Sequence, residues 1–354
     1  LIATSSADFD NNTNQYVPLD SAKTNFDSSN KAIDALFLEY DSNIDLWEPA
    51  FYDTFVYIED TVKTLAFEWN SGNNTWTPDF RITEVENTQG LRVYYLRENY
   101  NGVSWETESA TQSTYDADGN LMVEERFTGN PLQPSFKFTI TRDAQGNATE
   151  VVYQNYDTGL LTYVNDERRL FTYDGNGNIL SIIISDWDDI NSEWDPNQRV
   201  VRTYDGNNNQ ISEISQFWNV NAWLNSTKIE VAYNADNLVT QTISFYWNGG
   251  DWVPEERTNN TYDASGNLTF TQTDEFDGGT GVYTPDERTT NQYSGNNLIV
   301  TIEERFDELA NEWEGFDRQE YSYNSANLIT EYVLFNWNDV DEAFEKDGRF
   351  RYYS

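Results

Sequence analysis

The sequence predicts an all-β fold: an elongated antiparallel β-meander of about 24 strands, wound into a superhelical repeat array. Three observations carry that expectation. A motif of about thirty residues recurs twelve times and fills the chain, so 1–354 reads as one continuous array of β-hairpin repeats. Each copy is bounded by reversals too short for a crossover, which makes neighbouring strands antiparallel. No segment sustains a helical period.

The copies open at Tyr16, Trp47, Trp76, Trp105, Leu132, Tyr163, Trp194, Trp223, Trp252, Tyr283, Trp313 and Phe344. Seven of the eight prolines lie two residues after an opening position. Nine of the twelve plus-five positions are basic, and nine of the plus-ten positions are aromatic. Within a unit the first strand follows a Gly-Asn pair, as in Asn267-Leu268-Thr269-Phe270-Thr271, rich in the residues that suit a pleated surface. A loop between two aromatics comes next, for example Trp247-Asn248-Gly249-Gly250-Asp251-Trp252, whose Gly, Asn and Asp supply positive φ and local hydrogen bonds. The second strand runs from the opening aromatic to the tyrosine. Proline near its start fits, because proline cannot donate to a ladder. Tyr-Asp-x-x-Gly-Asn then reverses the chain.

In a regular strand the opening aromatic, the proline and the tyrosine would share one face, and the base at plus five would point to the other. The expectation is therefore one face of aromatic ladders and another with a row of bases among acids. Laid open, 24 strands would run roughly 115 Å at ~4.8 Å each. The alternative is a six-bladed propeller with two units per four-stranded blade. That arrangement calls for alternation over two units, which the loop lengths do not follow.

Sixty-one acids against 21 bases give a net charge of −40, which disfavours nucleic acid and anionic membrane as partners. There is no cysteine and no histidine. Disulfides, thiol chemistry and the familiar nucleophile–base sets are excluded. No apolar run is long enough for a membrane-spanning helix, so no membrane insertion is expected.

Two motifs could bind something. Asp116, Asp118 and Asn120, in Asp116-Ala117-Asp118-Gly119-Asn120, form the turn with the most oxygen ligands, and calcium is the cation they would take. The competing reading is a plain reverse turn, and no other cofactor is expected. The aromatic pairs around the loops, best seen in Trp218 with Trp223 and Trp247 with Trp252, could stack on sugar rings of a polysaccharide. Their competing role is cross-strand pairing that fastens each hairpin.

The Tyr-Asp-x-x-Gly-Asn-Leu turn, seen at 115–121, 173–179 and 262–268, resembles the YD repeats of RHS-type surface and toxin proteins. That resemblance implies extracellular β-hairpin arrays that coil into shells or rods. The period here is longer, Asn stands where that family often has Arg, and the aromatic-bounded loop is an addition. The whole unit, with its Trp-x-Pro-x-x-Arg strand, looks more like repeat-rich exported surface proteins of Bacteroidetes.

The expectation is a non-enzymatic structural or adhesive repeat protein, extracellular or on the cell surface. The alternative is a carbohydrate-binding surface protein using the loop Trp and Tyr pairs. An open meander would leave strand edges near Leu1 and Ser354 unpaired. Those edges would suit end-to-end self-association into filaments, or continuation into a longer array.

Overall fold

The computed structural model describes residues 2–10, 15–41 and 46–353. Leu1 and Ser354 lie outside the described residues, as do the side chains of Tyr16 and Pro18. The strands are β1 Ile2–Asp10, β2 Gln15–Phe26, β3 Ala32–Asp41, β4 Leu46–Ile58, β5 Thr61–Asn70, β6 Thr75–Glu86, β7 Arg92–Tyr100 and β8 Trp105–Tyr115. There follow β9 Leu121–Thr128, β10 Gln133–Arg142, β11 Ala148–Asp157, β12 Thr162–Tyr173, β13 Ile179–Asp188, β14 Glu193–Tyr204, β15 Gln210–Asn219 and β16 Ala222–Tyr233. The last are β17 Val239–Trp247, β18 Trp252–Tyr262, β19 Leu268–Asp277, β20 Val282–Ser294, β21 Asn297–Asp307, β22 Glu312–Tyr323, β23 Ile329–Asn338 and β24 Ala343–Tyr353.

All belong to one 24-stranded sheet in which each strand pairs antiparallel with its sequence neighbours. The all-β antiparallel meander is as the repeat requires. Its ends behave differently from the open array: β1 pairs antiparallel with β24, from Ala3 opposite Tyr353 to Asp8 opposite Gly348. The sheet closes on itself. The backbone groups expected to stand unpaired at the two ends satisfy each other, and closure is what removes sheet edges. Separate four-stranded blades do not form. The circumference of roughly 115 Å corresponds to a ring about 37 Å across for upright strands, wider with tilt.

Packing is almost wholly between sheet neighbours, so neither face is covered by a second layer. The accessible surface is 21238 Å², against roughly 14,700 Å² for a compact protein of this mass. Among the described residues the buried apolar ones are accordingly few: Ala35, Ala66, Ala110 and Val151. Stability must come from the ladder and from rows of side chains lying along each face.

The Tyr-Asp-x-x-Gly-Asn reversals show why their residues recur. Asp263 Oδ1 accepts from the backbone N–H of Ser265 (2.8 Å) and Asn267 (2.9 Å), and Gly266 takes φ +82°. Asn208, Asn237 and Asn327 fill the same left-handed place at φ 67°, 60° and 58°. The tyrosine hydroxyl then donates to the carbonyl at the start of the first strand of the same unit: Tyr204 to Ile179 (2.9 Å), Tyr262 to Val239 (2.8 Å) and Tyr323 to Leu298 (2.8 Å).

Candidate functional site

Among the described residues the aromatic-bounded hairpins end in ring pairs, nearly all of them edge to face. Trp69 and Trp76 have centroids 5.0 Å apart, Trp187 and Trp194 4.9 Å, and Phe306 and Trp313 5.3 Å. The expected pairs are formed: Trp218 with Trp223 at 5.0 Å and 65°, Trp247 with Trp252 at 5.1 Å and 68°. All four of these indoles are half-buried.

A β-bulge follows the proline. In β13–β14, Ser185 faces Pro196 while its neighbour Ile184 faces Gln198, leaving Asn197 as the extra residue. The same shift recurs at Ser244/Phe245 and Thr273/Asp274. One added residue reverses the parity of everything beyond it. The expectation that bases and aromatics lie on opposite faces is therefore corrected. The plus-five base shares the face of the opening aromatic, and the plus-ten tyrosine points the other way.

That correction brings together a set of groups which regular parity separates. The base of one unit lies over the opening ring of the next: Arg81 over Trp105 at 4.8 Å, Arg199 over Trp223 at 4.9 Å, Arg257 over Tyr283 at 4.2 Å and Arg288 over Trp313 at 4.3 Å. Arg168 over Trp194, Lys137 over Tyr163 and Lys228 over Trp252 repeat it at 5.1, 5.5 and 5.3 Å. The guanidinium also meets an acceptor on the strand between. Arg81 Nη2 donates to Glu98 Oε1 (2.8 Å), Arg257 Nη2 to Asp274 Oδ2 (2.7 Å), Arg288 Nη2 to Glu304 Oε1 (2.8 Å) and Arg199 Nε to Gln216 Oε1 (2.7 Å). Acceptor, cation and ring thus form a ladder along one face. Where Leu132 replaces the ring, the preceding plus-five place holds Ala110 in place of a base. Where Tyr52 replaces the base, its ring packs on Trp76 at 5.7 Å.

The opposite face carries the plus-four residues. They include Phe51, Phe80 and Phe136 early in the chain, and Glu256, Glu287 and Asp317 late in it. Glu256 stands directly opposite Glu275. Burial, and then Glu287 and other carboxylates, push the Glu256 carboxyl up. Burial and then Asp317 do the same to Glu303, and burial and then Asp347 to Asp317. Among the described residues no group of three His, Cys, Asp or Glu is disposed to hold a metal ion.

Asp116, Asp118 and Asn120 lie in a reversal of the recurring kind. Asp116 Oδ1 accepts from the N–H of Asp118 (3.0 Å) and Asn120 (2.8 Å), and Oδ2 from the Asn120 amide (3.0 Å). The Asn120 side chain, then its backbone N–H, holds the Asp116 carboxyl below the usual range. Both carboxylate oxygens already have donors within the turn.

No family model matches the chain. No curated protein matches it either. Solved structures do. A DUF3836 family protein from Bacteroides vulgatus is 12% identical over 25% of this chain and 90% of its own, with a TM-score of 0.23. A porin-like protein from Bacteroides uniformis is 10% identical over 85% and 93%, at 0.26. The TcdB2-TccC3-TEV structure is 12% identical over 94% of this chain and 22% of its own, at 0.30.

Proposed function

We propose that this is a non-enzymatic structural or adhesive repeat protein, working outside the cell or at its surface. The observation that carries the reading is the uniformity of the ladder. Ring pair and base recur through most of the hairpins, and Arg81, Arg199, Arg257 and Arg288 each add an acceptor on the strand between, whereas catalysis needs one constellation unlike its surroundings. Charged groups sit mid-strand on both faces, with Arg257 and Asp274 on one and Glu256 opposite Glu275 on the other. A lipid-embedded barrel needs an apolar outer band about 25 Å tall, so the reading keeps the sheet in water. The charge of −40 supports partners other than nucleic acid. Because β1 and β24 engage each other, self-association in this reading runs through faces and turn rims, not through free strand edges.

Polysaccharide binding is the second reading. It is favoured by the half-buried state of Trp218, Trp223, Trp247 and Trp252, which leaves part of each ring in solvent. One experiment tests both. The purified chain is incubated with a panel of polysaccharides, following co-sedimentation, particle size and release of reducing ends. Binding or assembly without cleavage supports the proposal. Release of reducing ends overturns it.

A further inference from the structure

The repeat departs from its usual pattern between β4 and β6. The reversal from β4 to β5 is two residues, Glu59 and Asp60, instead of the Tyr-Asp-x-x-Gly-Asn turn. Tyr52 stands where most copies have a base. A cleft of about 370 Å³ opens here on the ladder face. Val56, Lys63 and Thr83 form one row across it, each directly opposite the next, and Leu65 and Arg81 form the adjoining row. Trp105 closes the far side.

Lys63 is the unusual member. Six residues before the aromatic that precedes its loop, other copies carry Ser181, Ser212, Gln241 or Val300. Among the described residues Lys63 takes part in no ion pair and no side-chain hydrogen bond, in a chain with forty excess negative charges. It is exposed at the mouth of the cleft. Its neighbour Arg81 is already engaged by Glu98, whose carboxylate also lines the cleft, and by the Trp105 ring, so Lys63 is the cation of the lining left to meet a ligand. Val56, 49% exposed, and Leu65 offer apolar surface within the same two rows.

We propose that this cleft binds a small organic anion: a carboxylate with an apolar body, its charge on the Lys63 ammonium and its body over Val56 and Leu65. The chemistry follows from the lining. An unpaired ammonium beside apolar surface selects an anion over a neutral molecule and an amphiphilic anion over an inorganic one. The inference stands apart from the structural or adhesive role.

The test is calorimetric titration of the whole chain with 2-naphthoate, with 2-naphthamide as the uncharged analogue. One naphthoate per chain should bind, at about millimolar Kd or tighter. The amide should bind at least about tenfold more weakly, the scale of a charge-assisted contact. Lys63→Gln should lose the same factor. It replaces an exposed side chain, and its thermal melt should match that of the parent. Val56→Glu sets a carboxylate directly opposite Lys63 and should abolish binding while leaving the fold intact. Equal affinity for the amide, unchanged binding by Lys63→Gln, or no heat at millimolar naphthoate would overturn the proposal.

Discussion

Removing Arg257 should cost the fold more than any exposed position could. Its guanidinium donates to Asp274 Oδ2 through Nη2 at 2.7 Å and through Nε at 3.1 Å, and lies 4.2 Å over the Tyr283 ring. The Asp274 side chain is 4% exposed, whereas that of Arg257 is 33% exposed. Arg257→Leu leaves a buried carboxylate without its cation, a loss that runs to about 3–5 kcal/mol when nothing else compensates. Gln272 Nε2 still donates to Asp274 Oδ1 at 2.6 Å, and water reaches the arginine side. Both favour the low end, so the expected loss is ~3 kcal/mol. With the ring melting as one unit, that corresponds to a fall of ~4 °C in Tm for a chain of this length. Arg257→Leu combined with Asp274→Leu should recover most of the loss, because the stranded charge is gone. Urea unfolding of the two variants measures both quantities. If Arg257→Leu lost less than about 0.5 kcal/mol, typical of a surface site, the ladder would be decoration and the reasoning would fail.

Other consequences are smaller in scope. Gly315 holds the place of the proline, and a Cβ there would fall on the Trp337 indole. Gly315→Ala should therefore cost ~2 kcal/mol, the range for overpacking, with a change in near-ultraviolet circular dichroism; an unchanged melt would contradict the packing. The pH response has two opposing parts. Glu256, Glu303 and Asp317 have raised folded pKa values, so their contribution grows as pH falls through those values and is complete below the unfolded value of about 4. Asp116, Asp174, Asp205 and Asp263 have depressed values, chiefly through an Asn side chain, and their contribution is lost as pH falls through them. Urea titrations should place maximum stability near pH 4, and a steady decline from pH 7 to 5 would contradict this. Calcium should raise the Tm no more than magnesium or sodium chloride of equal ionic strength, because among the described residues no three acidic side chains converge to hold the ion. A calcium-specific rise lost in Asp116→Asn would restore the metal reading of Asp116, Asp118 and Asn120.

Much of the fold was legible because the repeat is written in residues with strong local consequences. The Asp263 turn, the left-handed Gly266 and the Trp247–Trp252 pair follow from short-range chemistry. The bulge was harder to see, since one extra residue changes faces without changing composition. Its signal was present in the spacing. Proline at plus two cannot join the ladder, and the base three residues later breaks an even count, as Pro254 and Arg257 show. The joint absence of ring and cation at Leu132 and Ala110 pointed to the same partnership. Closure was not legible. It depends on twist accumulated over 24 strands, and no residue in β1 or β24 encodes that sum. The cleft at Lys63 was hidden for a related reason, because it needs the register of three strands at once.

Closure of the sheet is the central claim, and a cysteine pair across the seam tests it most directly. The chain has no cysteine of its own. Thr4 lies directly opposite Tyr352 in the β1–β24 register. Facing residues of antiparallel strands have Cα atoms about 4.5–5.5 Å apart, within the reach of a disulfide. In Thr4→Cys/Tyr352→Cys, mild oxidation should yield an intramolecular bond in nearly every chain, seen as a faster non-reducing gel band with no free thiol. Chains joined into a ladder of oligomers would mean that the ends meet between molecules, and persistent free thiols would mean that they do not meet at all. Either result would contradict the closed ring.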